Sequence, residues 1–341
     1  MEFTLSESKT SPNKNKANKG YKMSKRLLIV DMLNMFYRAY IVDPSLSENG
    51  DPIGGLKGSI KILQKLIRES DPDKVVICWD GAGGSKRRKT LKKEYKAGRK
   101  PIRLNRDIRN LSENEEMANK IWQQARLVEY INNMPMMQFM FPEVEADDII
   151  AYVKNMKQFE DWQKVIVSSD KDFIQLLDDK TVLHRPVQKE TLNKPKVIEK
   201  FGIHPNNFAI ARAMAGDKSD NLPGVGGVGL ATVKNRFPFL GEEKSYTLTD
   251  VVKHCKAVDS NLKAYSNVLE NQDVLKLNYK MMQLYSPNIS AQTKRMVNQV
   301  VGNFDYHFNK TEVVKMMIQD GFGEFNWVDL SRKMKKMSLD K

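Results

Sequence analysis

The chain of 341 residues is poor in the residues that build disulfide frameworks and zinc sites. Its two cysteines, Cys78 and Cys255, can form at most one disulfide, and its four histidines are scattered. No apolar run approaches the roughly 20 residues that a membrane-spanning helix needs, and the first residues lack the hydrophobic segment of a secretory signal. These absences exclude a disulfide-stapled module, a histidine-rich zinc protein and a membrane protein. We therefore expect a cytoplasmic protein.

Basic residues are abundant, and most of their excess lies in two segments. Lys and Arg number 56 against 42 Asp and Glu, a formal net charge of +14. Residues 1–26 carry seven basic and two acidic side chains, and residues 85–109 carry twelve basic and two acidic ones. The remainder of the chain is close to neutral. A polyanion, most often nucleic acid, is the partner that this charge distribution favours.

The two basic segments differ in their surroundings. Residues 1–24, rich in Ser, Asn and Lys, are predicted to form a disordered basic tail, and Met23 is an alternative start. Residues 85–109 lie between two apolar segments, and we expect them to project into solvent because a run that basic does not pack on a core. A solvated surface loop is the ordinary alternative. We favour phosphate binding, since so dense a cluster repels itself unless anions neutralise it.

Short apolar runs alternate with helical patterns along the first half of the chain. The strand-like runs are 27–30, 75–79, 136–141 and 165–167. The helical patterns cover 58–69, 113–132 and 145–155. Continuous apolar runs suit strands that are buried on both faces. The alternation predicts an α/β fold with a mostly parallel twisted sheet flanked by helices.

Three of the predicted strands are followed by an aspartate: Asp31, Asp80 and Asp170. Each residue alone has an ordinary explanation as a turn or a helix cap. In open α/β sheets, however, sites form at the carboxyl ends of the parallel strands. The three aspartates together therefore predict one shared site at this edge.

Six further acids fit the same edge: Glu145, Asp147, Asp148, Asp172, Asp217 and Asp220. Each group has an ordinary explanation. Glu145, Asp147 and Asp148 would be acids in a first helical turn, Asp172 would belong to a capped helix, and Asp217 and Asp220 would lie in a polar turn. Nine ionised carboxylates cannot crowd together without cations, and all-oxygen ligation suits Mg²⁺ or Mn²⁺. Beside a basic segment, such a site suits a phosphodiester, because two metal ions activate water and stabilise the departing oxygen. No Walker loop, Ser–His–Asp arrangement or Cys–His pair competes for the chemistry.

A glycine-rich stretch follows the last acids, with Gly224, Gly226, Gly227 and Gly229. Glycines permit positive φ and close backbone approach, so that amides can point at a phosphate. A tight turn between two helices is the alternative explanation.

The order of these motifs is distinctive. In chain order they are Asp31, WDG at 79–81, EYKAGR at 94–99, VEADD at 144–148, SDKDF at 169–173, GDKSDN at 216–221 and LPGVGGVG at 222–229. This order resembles the bacterial and bacteriophage 5′-nuclease family. That family includes phage flap endonucleases and exonucleases, the phage enzyme called ribonuclease H, and the amino-terminal domain of bacterial DNA polymerase I. The resemblance extends over about residues 25–237.

The resemblance implies a domain organisation. Residues 25–200 would form a PIN-like 5′-nuclease core with a helical arch at 84–110. Residues 201–300 would form a helix–hairpin–helix region that binds duplex DNA, and 301–341 a C-terminal helical extension. For the basic stretch 332–336 we expect a solvated tail, with contact to DNA or a replication partner as the alternative.

The resemblance also implies roles for individual residues. The first metal ion would be held chiefly by Asp80, Glu145 and Asp147. Acids around the second would be Asp170, Asp172, Asp217 and Asp220, with Asp31 and Asp148 in or near these shells. Candidate catalytic residues are Lys96, Arg99, Tyr95 and Arg38. Candidate DNA-binding residues are Lys86, Arg87, Arg88, Lys89, Lys92, Lys93, Arg103, Arg212, Gly224, Gly226, Gly227, Gly229 and Lys234.

Several of these assignments have an alternative. Lys96 and Arg99 match arch residues that reach the scissile phosphate, and their charge suits that role. Tyr95 either stacks on a base or packs under the arch, and Arg38 either lies near the active site or forms a surface salt bridge. The family often has a lysine where this chain has Ala231, and Lys234 is the expected substitute. Carbonyls of the hairpin are expected to hold K⁺.

The implied function is a divalent-metal-dependent, structure-specific 5′-nuclease, acting as 5′–3′ exonuclease and flap endonuclease. It would hydrolyse DNA at 5′ flaps, nicks or ends and RNA primers in RNA–DNA hybrids, by a two-metal mechanism, during DNA replication. We expect a monomer in the cytoplasm, that of the host if a bacteriophage encodes it, with single-strand-binding protein or a sliding clamp as candidate partners. The competing classes are a non-catalytic nucleic-acid-binding protein and a toxin-type PIN ribonuclease. The first would lack some metal ligands, and the second is shorter and has no glycine-rich hairpin.

Overall fold

A computed structural model describes residues 24–108 and 111–339 of the chain. The predicted basic tail and the alternative start at Met23 lie outside these ranges, apart from Ser24. Within these ranges every helix is too short or too polar to cross a lipid bilayer.

The main sheet has six strands in the described ranges. They are β1 (Arg26–Asp31), β2 (Lys74–Cys78), β3 (Met137–Phe139), β4 (Gln163–Val167), β5 (Thr181–Arg185) and β6 (Glu190–Leu192). Their order across the sheet is β3-β2-β1-β4-β5-β6, and each neighbouring pair is parallel except β5 with β6. The predicted mostly parallel sheet is therefore confirmed.

Helices cover the sheet and continue beyond it. They are α1 (Met32–Val42), α2 (Gly54–Ser70), α3 (Lys86–Leu91), α4 (Glu113–Asn132), α5 (Ala146–Lys154), α6 (Lys194–Phe201), α7 (Pro205–Ala215), α8 (Leu230–Arg236), α9 (Leu248–Ala257), α10 (Lys263–Glu270), α11 (Gln272–Met282), α12 (Ala291–Asn303), α13 (Lys310–Gln319) and α14 (Trp327–Leu339). Between α7 and α8 lies a short hairpin of β7 (Gly216–Asp217) and β8 (Leu222–Pro223).

The side chains of β1 show how the sheet separates two hydrophobic cores. Leu27 and Ile29 belong to a first core cluster, whereas Leu28 and Val30 belong to a second. This is the alternation of a strand that is covered on both faces. The first cluster contains residues of α5, α7, α8, α9 and α12, and the second contains residues of α1, α2, α4, α13 and α14. The helical second half thus shares its cores with the sheet.

The basic stretch near the C-terminus is part of this packing. Met334 and Met337 on α14 are buried in the second core cluster. Lys333 and Lys336 on the same helix form ion pairs with Asp71, which follows α2. The expectation of a solvated tail at 332–336 is therefore wrong, because the methionines that alternate with the cations give the helix an apolar face.

Candidate active site

The acids predicted to share a site lie along the carboxyl edge of four neighbouring strands. Asp31 is the last residue of β1, Asp80 follows β2, and Asp170 follows β4. Glu145 lies beyond β3, at the residue before α5 begins. The edge continues into the hairpin after α7, where Asp217 and Asp220 lie.

Hydrogen bonds fix the turns that carry these acids. Ser168 donates its hydroxyl to Asp31 over 2.8 Å, and the Ser168 Oγ accepts the backbone N–H of Asp170 at 3.1 Å. Asp170 in turn accepts the N–H of Asp172 at 2.8 Å. The carboxylate of Asp80 accepts the N–H of Ala146 at 2.7 Å and so joins the end of β2 to the start of α5.

Residues of the segment 84–110, which is the predicted arch, lie against these acids. Arg88 on α3 forms ion pairs with Glu145 and, at 3.1 Å, with Asp148. Lys96 lies with its Nζ 2.8 Å from Glu145, and the Tyr95 hydroxyl donates to the same carboxylate over 3.3 Å. Arg88 is only 7% exposed and Tyr95 only 3%. The expectation that the whole segment projects into solvent is therefore wrong for these two residues, because buried acids pair with them.

A second set of contacts joins the same segment to the β7–β8 hairpin. Arg99 pairs with Asp220, and its Nε donates to the carbonyl of Ser219 over 3.0 Å. The backbone N–H of Lys96 donates to the carbonyl of Asp220 over 3.0 Å. Lys96 adopts a φ of +59°, which is unusual for a residue with a Cβ and places strain at this contact.

Arg212 is also drawn into the acids. Its Nε lies 2.6 Å from Asp172, its other amines pair with Asp217 and donate to the carbonyl of Gly216, and the residue is 6% exposed. A buried guanidinium that is saturated by acids is not placed to contact a phosphate. The structure thus places Arg212, like Arg88, as an internal counter-ion rather than as the phosphate contact that we expected.

The remaining predicted cations differ in their partners. Lys86 pairs with Glu143, Arg87 donates to the Asn288 carbonyl, and Arg103 pairs with Glu113 and Glu116. Of the predicted cations, those with no ion pair to the described part of the chain are Arg38, Arg87, Lys89, Lys92, Lys93 and Lys234, although Arg87 and Lys234 donate hydrogen bonds to carbonyls. Lys89, Lys93 and Lys234 are exposed, whereas Arg38 and Lys92 are half-buried. The exposed ones can meet a phosphate backbone without breaking an ion pair.

The pKa values show where negative charge remains in excess. Burial, with the nearby charge of Asp80, raises the pKa of Asp31 to about 7. Burial and the neighbouring Asp170 raise the pKa of Asp172 to about 7. Burial and the charge of Glu145 raise the pKa of Asp147 well above its ordinary value, and burial raises that of Asp170.

Glu145 shows the opposite shift. Burial alone would raise its pKa, but Arg88 and Lys96 hold the pKa below the usual value. The internal cations therefore stabilise the charged form of Glu145, whereas the charged forms of Asp31, Asp147, Asp170 and Asp172 stay disfavoured by burial and by neighbouring carboxylates.

A divalent cation would stabilise the charged forms of these four acids. Carboxylate oxygens are the ligands that Mg²⁺ and Mn²⁺ prefer, and the four underneutralised acids lie next to one another along the edge. In residues 24–108 and 111–339, no three acidic, histidine or cysteine side chains already converge tightly enough to form a finished metal site. The reason is visible in the ion pairs: Arg88, Lys96, Arg99 and Arg212 each hold one or more of the predicted ligands.

The glycine-rich stretch 224–229 is shaped by the close approach of other backbone segments. A Cβ on Gly224 would lie 2.2 Å from the carbonyl oxygen of Ala215, so only glycine fits. Gly227 has a φ of +73°. Asn267 on α10 donates to the Gly226 carbonyl over 2.7 Å, and Gly229 immediately precedes α8. The stretch therefore leads from β8 into α8 through a tight turn whose backbone Asn267 holds from α10.

Three polar residues near the acids were not predicted. Asn34 accepts the N–H of Ser169 at 3.0 Å, Ser85 donates to Glu145 over 2.5 Å, and Gln175 contacts the turn that bears Asp172. These residues are uncharged and belong to no recognisable motif, so they could not be selected from the sequence alone.

The α/β core with acids at the carboxyl edge of its sheet, beneath a basic segment, is the arrangement of a nuclease. Residues 26–202 match the family model of the 5'-3' exonuclease N-terminal resolvase-like domain. The chain therefore belongs to the 5'-3' exonuclease family and is an enzyme, and the resemblance predicted from the motifs is confirmed.

Individual relatives agree with this assignment. A 5'-3' exonuclease of Aquifex aeolicus (strain VF5) is 28% identical over 270 residues, which are 77% of this chain and 82% of that protein. A 5'-3' exonuclease of Buchnera aphidicola subsp. Schizaphis graminum (strain Sg) is 30% identical over 214 residues, 62% of this chain and 69% of that protein. The flap endonuclease of bacteriophage T5, in a pseudo-enzyme–product complex with DNA and metal ions, has a similar fold, with a TM-score of 0.65 at 17% identity over 82% of this chain and 100% of that one.

Proposed function

We propose that the protein is a divalent-metal-dependent, structure-specific 5′-nuclease that cleaves phosphodiesters by a two-metal mechanism. The observation that carries this proposal is the row of acids at the carboxyl edge of the sheet, where the pKa values of Asp31, Asp147, Asp170 and Asp172 stay raised although Arg88, Lys96 and Arg212 lie among the acids. A protein that only bound nucleic acid would gain nothing from such a row of acids, since clustered carboxylates repel phosphates.

Two groups of acids would hold the ions. Asp80, Glu145 and Asp147 would hold one, and Asp170, Asp172, Asp217 and Asp220 the other, with Asp31 and Asp148 beside them. The ions would supply Lewis acidity that activates water and stabilises the leaving oxygen.

The arch supplies the organic cations of the reaction. Lys96 and Arg99 lie against the acids, and both charges can stabilise negative charge that develops on the phosphate oxygens. Their present partners, Glu145 and Asp220, are among the proposed metal ligands. If Glu145 and Asp220 held metal instead, Lys96 and Arg99 would lose these ion pairs and be available to the phosphate. Tyr95 packs under the arch here, which supports a structural role for its ring.

Binding of the rest of the substrate would use the exposed charges and the hairpin. Lys89 and Lys93 face solvent on the arch, and Lys234 does so on α8 beside the hairpin. Backbone groups of 224–229 would contact the phosphates of a duplex, with K⁺ held by hairpin carbonyls. The substrates would be DNA with 5′ flaps, nicks or ends and RNA primers on DNA, in the cytoplasm. Single-strand-binding protein or a sliding clamp would assist a monomeric enzyme.

The decisive experiment compares two aspartate variants on a 5′-labelled flap DNA with Mg²⁺. Asp170→Asn should abolish cleavage, because it removes charge from the centre of the acids. Asp178→Asn is the matched control, since Asp178 lies eight residues further on and pairs with Lys154 away from the edge. The sizes of the wild-type products would separate exonuclease from flap-endonuclease cleavage.

Equal cleavage by the wild-type protein and Asp170→Asn would overturn the mechanism. Loss of cleavage in both variants, with both folded, would show that the acids at this edge are not special.

A further inference from the structure

Gln175 makes three hydrogen bonds, all with backbone groups. It lies in the 3₁₀ helix Asp172–Leu176, directly after the turn of Asp170 and Asp172. Its Nε2 donates to the carbonyl of Asp172 over 2.8 Å and to that of Met282 over 3.0 Å. Its Oε1 accepts the N–H of Leu284 at 2.7 Å. One side chain thus clamps the acid-bearing turn to the end of α11, 107 residues away in sequence.

The C-terminal end of α11 is a common anchor for several parts of the site. The last carbonyls of a helix have no partner within the helix. At α11 the nuclease core supplies those partners, because Arg88 donates to Met281 and Gln175 donates to Met282. Six residues further on, the N–H of Asn288 donates to the carboxylate of Asp148 over 2.8 Å.

Helix α11 also holds the β7–β8 hairpin. Asn278 on α11 is buried and donates to the carbonyls of Ala213 and Pro223, at the end of α7 and on β8. The arch, the acid-bearing turn after β4 and the hairpin are therefore all attached to one helix. That helix lies outside residues 26–202, which match the family model.

We propose that Gln175 is a positioning residue, which sets the backbone of Asp172 and hence the carboxylates of Asp170 and Asp172 by tying their turn to the end of α11. This inference rests on the proposed metal-dependent function. Removing Gln175 would free the Asp172 carbonyl and the end of α11 together, while leaving every acid in place. The loss of a residue that orients metal ligands from outside the coordination sphere typically lowers metal affinity about 10–100-fold.

The test compares Gln175→Met with Gln64→Met. Gln64 on α2 is the matched control, because its Nε2 also ties the core to a distant segment, donating to Asn326 at 3.2 Å and Asp329 at 3.0 Å. It lies in a helix of the second core cluster, away from the acids. Mn²⁺ binding is measured by calorimetry, and turnover and KM on flap DNA are measured in parallel with thermal stability.

We expect both variants to lose similar thermal stability, but only Gln175→Met to bind Mn²⁺ about 10–100-fold more weakly. Its turnover should fall at fixed Mg²⁺ and recover as Mg²⁺ is raised, with KM for DNA unchanged. Equal Mn²⁺ affinity in the wild-type protein and Gln175→Met would overturn the proposal and leave Gln175 a merely structural residue.

A second variant covers the case in which Gln175→Met does not fold. Gln175→Asn keeps the amide but is too short to reach Asp172, Met282 and Leu284 together, and it should weaken Mn²⁺ binding in the same direction. Amide hydrogen exchange in the metal-free protein gives an independent measurement, in which the variants should exchange faster at Leu284 and at residues 172–176 while Gln64→Met does not.

Unchanged exchange at these amides would overturn the positioning role without reference to metal. A wild-type protein that neither bound Mn²⁺ nor cleaved DNA would instead overturn the proposed function, so the two failures are distinguishable.

Discussion

Arg88 gives the sharpest prediction, because sequence and structure assign it different roles. Its side chain is 8% exposed and pairs with Glu145 and Asp148, whose side chains are 1% and 4% exposed. Arg88→Met would keep the volume of the chain and remove the charge. Two buried carboxylates would then lose their shared counter-ion, and breaking a buried ion pair from one side typically costs about 3–5 kcal/mol of the free energy of unfolding.

The assay is urea unfolding in the presence of EDTA, followed by tryptophan fluorescence. Lys86→Met is the matched control on the same helix, since the pair of Lys86 with Glu143 is exposed on both sides and its loss should leave stability close to that of the wild-type protein. The difference for Arg88→Met should also depend on pH. Arg88 holds the pKa of Glu145 below its ordinary value, so the stabilisation is present above that value and is lost as the pH falls through the lowered one.

The result that would refute this reasoning is a stable Arg88→Met variant with weakened DNA binding. That outcome would mean that Arg88 contacts phosphate, as the sequence predicted, and that Glu145 and Asp148 need no internal cation. A destabilised variant whose deficit is as large at pH 4 as at pH 8 would refute the electrostatic explanation alone.

Other predictions follow from the same geometry. Because the pKa of Asp31 is raised to about 7, the metal-free protein should lose stability as the pH rises from about 4 to 7. Asp31→Asn should therefore raise the melting temperature in EDTA at pH 8 but hardly at pH 4. Equal gains at both pH values would contradict this prediction. Lys96→Ala should lower single-turnover cleavage about 10²–10³-fold, whereas Lys93→Ala, an exposed cation of the same segment, should mainly weaken DNA binding; indistinguishable variants would remove Lys96 from the reaction. Gly224→Ala should distort the hairpin and weaken duplex binding in a gel-shift assay, because its Cβ would lie 2.2 Å from a carbonyl oxygen, whereas Gly229→Ala has open space and should bind normally.

The sequence predicted β1, β2, β3 and β4 from their apolar runs and missed β5 and β6. The runs that became β1, β2 and β4 are almost wholly apolar, and helix α4 was predicted at the residues where it begins and ends. Strand β5 alternates buried and half-buried residues, and β6 has three residues at the edge of the sheet. Such short, mixed strands are set by pairing with a neighbour, which composition does not show.

The acids were predicted more completely than their partners were. The position of an aspartate after a strand follows from local pattern, so Asp31, Asp80 and Asp170 were found from the sequence. The internal pairing of Arg88 with Glu145 joins residues 57 apart, and that of Arg99 with Asp220 joins residues 121 apart. Counting charge within a segment cannot reveal such pairs, which explains why the arch was expected to stand in solvent.

The shared first core cluster has a consequence for evolution and for engineering. Val233, Val251 and Val297 pack in one continuous cluster with Leu27 and Ile29 of the central strand. An excised fragment ending near residue 202, where the family-model match stops, would lose these valines, expose apolar residues of the first core cluster and should aggregate. The segment that matches the family model is thus smaller than the unit that folds, and a truncation designed on that match alone would cut through a core.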